Sequence, residues 1–201
     1  MRERTHGLAA LVLGVALAVP SPACAQDARV ELLERDAAHA RLWWWGFAAV
    51  YTAAGIVQTV MSFTVDDPGL RVDSAVGAGS TWLGVAGMFL SPIPAVWQAA
   101  ERARVTGRYD EALARAAEAE AEGRAWYNHV ACVVVALGAG AILWLGYDRP
   151  ESAAINAAGN LLVGELNLLT QPRRALSYRE RGTAQWHVVP GLGGAQLALQ
   201  W

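Results

Sequence analysis

Four stretches of the chain are each long and apolar enough to cross a lipid bilayer, which requires about 20 mostly apolar residues in a helix. They cover residues 42–63, 75–97, 126–147 and 152–172. Aromatic clusters around Trp43 and Trp126 open the first and third stretches, as is typical of side chains at the interface between membrane and water. Charged residues make up 17% of the chain, against about 25% in soluble domains. These features favour a membrane protein over the alternative, a soluble bundle with buried helices.

A polar stretch precedes the first apolar segment, at residues 27–41, and another precedes the third, at residues 109–124. In each stretch a glutamate lies four residues before an arginine, as at Glu31 and Arg35, and this spacing supports a helix. The second stretch is also rich in alanine, the strongest helix former. We predict that each polar helix continues into the following span and that its charges face solvent.

The two halves of the chain align with each other at a nearly constant offset. The matching motifs are Arg41-x-Trp43-Trp44 with Arg124-x-Trp126-Tyr127, and Asp66-x-Pro68 with Asp148-x-Pro150. Self-similarity of this kind indicates an internal repeat, although unrelated membrane hairpins also resemble one another by chance. Two spans per unit give both units the same orientation, which makes the repeat parallel.

The predicted fold is therefore all-α: a four-helix transmembrane bundle of two tandem helical hairpins. The repeat units cover about 27–99 and 109–181, within a helical membrane domain at 26–181. Glycines of the second and third spans are expected to let helices pack closely in lipid. These glycines are Gly77, Gly79, Gly84 and Gly87 in the second span, and Gly138 and Gly140 in the third. In the second turn, Asp148 is predicted to cap the fourth helix, with Pro150 in its first turn.

The two ends of the chain suggest processing and a small tail. Residues 1–25 have a charged start, an apolar run and the small-x-small site Ala23-Cys24-Ala25, which predicts a signal peptide cleaved before Gln26. Lipidation of Cys24 and an uncleaved anchor are the alternatives. Residues 182–201 predict a C-terminal tail that is irregular or forms a short β-hairpin around a Pro/Gly turn.

The distribution of arginine bears on the location of the protein. Twelve of the fourteen arginines after residue 25 fall at one end of the predicted bundle. The positive-inside rule places that end in the cytoplasm for an inner-membrane protein, whereas a cleaved signal would place it outside. The alternating C-terminal residues that end at Trp201 resemble the last strand of outer-membrane proteins. We expect a bacterial cell envelope protein, with the inner membrane favoured and the outer membrane as the alternative.

The candidate site lies in the fourth span, where Asn156, Asn160 and Asn167 follow one helical stripe and Glu165 borders it. Amides in a span usually join helices by hydrogen bonds, but an intramembrane carboxylate is a functional hypothesis by default. If Trp126 and Pro172 mark the interface, His129 lies about 5 Å deep and Glu165 about 10 Å deep. A pair of these two side chains could bind an ion or pass a proton.

Composition and motifs exclude several functional classes. A net charge of −2 argues against a nucleic-acid partner. We identify no catalytic motif, no metal-ligand spacing and no cofactor motif in the sequence. The leading hypothesis is a non-enzymatic interaction or scaffold subunit whose partners are the lipid bilayer and either a second copy or another envelope protein. The alternatives are a small transport or channel subunit that uses Glu165, and a membrane enzyme that uses the same cluster as acid and base.

Overall fold

The computed structural model describes residues 22–183, 185–191 and 194–200, with side chains for residues 26–182. The helices are α1 Pro22–Thr64, α2 Pro68–Leu90, α3 Pro94–Thr106, α4 Tyr109–Gly123, α5 Trp126–Ala141, α6 Pro150–Leu169 and α7 Arg174–Thr183, and a π-helix, Ile142–Gly146, follows α5. The strands β1 Gln185–Gly191 and β2 Gly194–Gln200 pair in antiparallel register. Residues 1–21 of the predicted signal peptide lie outside the described residues.

Two helical hairpins form the apolar part of the molecule. The second half of α1 packs on α2, α5 with its π-helix packs on α6, and α2 joins the two hairpins through contacts with α5 and α6. Three helical runs, the last two with a short break between helices, are long and apolar enough to cross a membrane, namely Gln26–Thr64, Pro68–Thr106 and Tyr109–Gly146. The fourth predicted span corresponds to α6, which is not among these three runs. Large apolar side chains such as Val57, Val134 and Ile155 are exposed on the hairpins, which is the surface that lipid contact requires.

Glycines bring the helices of each hairpin together. A Cβ at Gly84 would lie 3.1 Å from the Tyr51 ring, and one at Gly77 would lie 3.2 Å from the Gln58 amide, so α1 side chains fill the space that these residues leave. In the second hairpin, a Cβ at Gly140 would lie 3.2 Å from that of Ala157. Gly87 faces open space instead, as do Gly79 and Gly138. Close packing through small residues therefore occurs at some of the predicted positions.

A second core lies at the arginine-rich end, in a part that we call the head. The head comprises residues 26–44 of α1 together with α3, α4 and α7. Its buried side chains include Leu33, Ala37, Ala40, Val96, Ala99, Ala103, Leu113, Ala116, Ala117 and Ala175. Ion pairs at its surface join α1 to its neighbours, as between Arg29 and Asp110 at 2.5 Å. The polar stretches thus bury one face rather than projecting as fully solvated helices.

Tryptophans join the head to the hairpins. Trp44 Nε1 donates to the carbonyl of Met88 at 2.8 Å, and Trp43 Nε1 donates to Thr170 Oγ1 at 3.1 Å. Arg124 Nη1 donates to the carbonyls of Leu168 and Leu169 at 3.3 Å. The last carbonyls of a helix have no partner within it, so these donors fix the ends of α2 and α6 against α1 and α4.

The turns at the opposite end differ from each other. The Asp67 side chain caps α2 by accepting from the Leu70 N–H at 2.9 Å, and this bond helps to lower the pKa of that carboxyl. The predicted cap by Asp148 is wrong. Asp148 has φ +51°, because its N–H closes the preceding helix on the Trp144 carbonyl, and Arg149 takes the N-cap position without a side-chain bond.

Arg149 links the two turns. Its Nε donates to Asp73 Oδ1 at 2.9 Å, and its Nη2 donates to Oδ2 at 2.7 Å. Ser152 Oγ also donates to Asp73 Oδ2, at 2.8 Å. A bidentate arginine–carboxylate pair has a defined geometry, so it fixes the start of α6 beside the start of α2.

Candidate functional site

A cavity of about 690 Å³ separates the two hairpins. Its walls extend from Gly77 to Ser91, along α2 and the residue after it, and from Asn156 to Gln171, along α6 and the two residues after it. At 1.5 Å per residue these stretches are roughly 21 Å long, so the cavity is elongated along the spans. The volume falls within the range of sites that bind small molecules, which is about 300–1,000 Å³.

Amide side chains line the cavity. Asn160 Nδ2 donates to Asn156 Oδ1 at 2.7 Å, and Asn167 Nδ2 donates to the Met88 sulfur at 3.4 Å. On the opposite wall, Gln58 Oε1 accepts from Thr81 Oγ1 at 2.9 Å. Within residues 26–182, no protein group hydrogen-bonds to Asn156 Nδ2, Asn160 Oδ1 or Gln58 Nε2. These atoms are two donors and one acceptor that a bound molecule can use.

The charge of the cavity restricts its occupant. Among the described residues that line it, Glu122 carries the one full charge, and it lies at the head end. The rest of the wall is apolar, aromatic or neutral and polar, with Trp43 and Tyr51 on α1. A buried charge without a partner is strongly unfavourable. The walls therefore suit a neutral molecule with a long apolar part.

Sequence reasoning placed His129 and Glu165 with the amides, but in the structure they form a separate group. His129 Nδ1 and Glu165 Oε2 form a hydrogen bond of 2.8 Å, with the side chains 37% and 29% exposed. Neither residue lines the cavity. A Cβ at Gly164 would lie 2.1 Å from Cys132 Sγ, so α5 and α6 are closest beside this pair. The pair joins these helices on the side away from the three asparagines.

A buried pair of carboxyl groups lies in the head. Asp36 and Glu120 are both 0% exposed. Asp36 Oδ2 accepts from the Ala175 N–H at 2.9 Å, and Glu120 Oε2 accepts from the Leu176 N–H at 2.6 Å. Both carboxyls therefore bind the N-terminus of α7, where free N–H groups and the helix dipole favour acceptors.

One proton belongs to this pair. Burial raises the pKa of the Glu120 carboxyl to about 9, and the hydrogen bond to Asp36 and the Asp36 charge act in the same direction. Asp36 Oδ1 and Glu120 Oε1 are buried and accept no hydrogen bond from a donor among the described residues. A proton on Glu120 gives these oxygens a donor, so Glu120 is neutral at pH 7 and donates to Asp36.

Helical spacing in the sequence indicates that both of these carboxyl groups lie on buried faces. Asp36 occupies a place on the stripe of Leu33, Ala37 and Ala40, at the i, i+3, i+4, i+7 spacing of a buried helix face. Glu120 takes the i+7 place on the matching stripe of Leu113, Ala116 and Ala117, whereas Asp36 takes the i+3 place on its own. We interpreted these charges as solvated because alanine, unlike leucine, is also common on exposed faces.

Known proteins give no guide to this arrangement. Comparisons with protein families, curated sequences and solved structures find no match. In the part of the chain that the structure describes, no three His, Cys, Asp or Glu side chains form a group that could hold a metal ion. A function must therefore be inferred from the geometry of the cavity, of the His129–Glu165 pair and of the head.

Proposed function

We propose that the chain is a non-catalytic integral membrane protein of a bacterial envelope that holds the apolar chain of a neutral lipid between its two hairpins. The observation that carries this proposal is the elongated cavity of about 690 Å³ with neutral amides on its walls. Protein interiors are close-packed, so a space of this size along apolar spans needs an occupant. A lipid chain matches its length, and the free amide atoms match an ester or hydroxyl group.

The membrane arrangement belongs to the same proposal. Because α6 packs along α5 as α2 packs along α1, we place four crossings in the bilayer, as two units of a parallel repeat. The head then lies on one side, with the Arg149–Asp73 contact on the other. The arginines of the head favour the cytoplasmic side of an inner membrane. An outer-membrane location is the alternative that a cleaved signal favours.

The structure weakens the two alternatives that rest on Glu165. A transport path needs polar groups that continue across the membrane, whereas the His129–Glu165 pair lies outside the cavity. An enzyme that used the whole cluster would need the pair and the amides on one wall, and they lie apart. Holding a lipid is consistent with an interaction or scaffold role, because the head is free to contact a second copy or another envelope protein.

Narrowing the cavity tests the proposal. A Cβ at Gly159, which lines the cavity, meets nothing within 4 Å, so Gly159→Leu places its side chain in the cavity without a backbone clash. We expect this variant to fold but to retain several-fold less lipid per chain after purification in detergent. Extraction and mass spectrometry measure the retained lipid.

Gly138→Leu is the matched control. A Cβ at Gly138 also meets nothing within 4 Å, but Gly138 does not line the cavity. We expect this variant to retain as much lipid as the unaltered chain. If both variants retain as much lipid as the unaltered chain, the cavity does not hold a lipid. If both variants lose the same lipid, that lipid binds to the outer surface.

A further inference from the structure

A second cavity, of about 380 Å³, lies in the head between α1 and α7. Four arginines line this cleft, and the other lining residues provide one carboxylate and one hydroxyl. The polar lining residues are Glu31, Arg35, Arg173, Arg174, Ser177 and Arg181. We call it the arginine cleft. It is separate from the cavity between the hairpins, and its walls carry charge where the walls of that cavity are mostly neutral.

The positive charge of the arginine cleft is only partly compensated. Arg35 pairs with Glu31 at 2.5 Å, and Arg173 lies 3.6 Å from Glu180. Among residues 26–182, no carboxylate lies within ion-pair distance of Arg174 or Arg181. Like charges that share a cleft repel each other, so a bound anion would stabilise the contact between α1 and α7.

The backbone of α7 is not the source of this site. The N–H groups of Ala175 and Leu176 already donate to Asp36 and Glu120. Side chains must therefore supply the donors. A guanidinium group presents its N–H donors in a planar fork that matches two oxygens of a phosphate group. Ser177 lies in the same lining and carries a hydroxyl donor.

We propose that the arginine cleft binds a phosphate group, through Arg174 and Arg181 with support from Arg35 and Ser177. Arg174 follows closely after Pro172, where the chain leaves α6, so the cleft begins near the level of the lipid headgroups. The phosphate therefore belongs either to a phospholipid of the surrounding leaflet or to a soluble compound. Both sources present the same group to the same side chains.

The test uses the full chain with Arg174→Gln and Arg181→Gln combined. The control combines Arg108→Gln, just before α4, with Arg115→Gln on the exposed face of α4, which removes the same charge from two arginines that both pair with Glu111. The soluble arm measures pyrophosphate binding to the detergent-solubilised protein by calorimetry. The lipid arm measures enrichment of phosphatidylglycerol around the protein after extraction from mixed vesicles of phosphatidylcholine and phosphatidylglycerol. Circular dichroism checks that each variant is folded.

We expect the cleft variant to lose at least about tenfold in affinity or enrichment, because it lacks two groups that form charge-assisted hydrogen bonds with a phosphate, while the control stays close to the unaltered chain. Loss of pyrophosphate binding identifies a soluble ligand, and loss of phosphatidylglycerol enrichment alone identifies a headgroup. The proposal is overturned if the two folded variants bind pyrophosphate alike and enrich phosphatidylglycerol alike. In that case any loss comes from the overall charge of the protein and not from the cleft.

Discussion

Raising the pH from 5 to 9 is expected to destabilise the head, because Glu120 is protonated in the folded chain. The pKa of this carboxyl is about 9 in the fold, against an ordinary value of 4.5. Between these values the folded state binds a proton that the unfolded state has lost. Stability therefore falls as the pH rises through this window, by at most about 1.4 kcal/mol per pH unit. Below pH 4.5 and above pH 9 the Glu120 carboxyl has the same charge in both states and does not make stability depend on pH.

Glu120→Gln isolates the contribution of this proton. A glutamine keeps an acceptor for the Leu176 N–H and a donor for Asp36 without a titrating group. We expect the stability of this variant to depend much less on pH, and we expect it to be more stable than the unaltered chain at pH 8. The thermal midpoint of the detergent-solubilised protein, taken from pH 5 to 9, measures the effect.

Glu118→Gln serves as the control for this pH series. Glu118 is an exposed carboxylate on the same helix, so its replacement should leave the slope unchanged. Apart from positions 118 and 120, the variants carry the same titrating groups, so the difference between their slopes isolates Glu120. A slope that persists in Glu120→Gln would show that the buried carboxyl pair does not hold the proton.

Replacing His129 with leucine is expected to lower stability by about 2 kcal/mol. Glu165 would then have no partner at 2.8 Å and would remain at a membrane level, where an isolated carboxylate is costly. Glu165→Gln should be milder, at about 1 kcal/mol, because an amide can still bind the imidazole. The combined change of both residues to leucine should recover most of the loss. Resistance of each purified variant to unfolding in dodecyl sulfate measures the series.

This series also separates the structural role of the pair from a transport role. A structural pair predicts that the double leucine variant is folded and retains its lipid, because the pair lies outside the cavity. A folded Glu165→Gln variant that loses a measured ion flux in vesicles would instead favour the channel hypothesis. Destabilisation by the double variant equal to the sum of the effects of His129→Leu and Glu165→Leu alone would show that the two side chains do not interact.

The sequence was sufficient to predict several local features. Apolar length and aromatic flanks predicted the hairpin helices, since these signals lie within each segment. Similar depth near one end of neighbouring spans made His129 the candidate partner of Glu165, and the structure has the two side chains 2.8 Å apart. Helical spacing also placed Asn156, Asn160 and Asn167 on one stripe, and all three line the cavity.

Features that depend on the packing of distant segments were missed. The head core requires α3 and α7 to meet α1 and α4, and alanine-rich faces do not indicate which side is buried. The contact of Arg149 with Asp73 depends on how two turns face each other across the hairpins. The cap by Asp148 was predicted from residue type, whereas the closing bonds of the preceding helix set its conformation.

We infer that the hairpins cross a membrane and that the head lies on one side of it. Cysteines introduced at Ser177 in α7 and at Asp66 in the first turn, in a chain with Cys24 and Cys132 replaced by serine, test it in sealed vesicles. We predict that the chain stays with the membrane after an alkaline wash. A reagent that cannot cross the bilayer should label the two positions from opposite sides. Release into the soluble fraction, or labelling of both positions from the same side, would contradict this account.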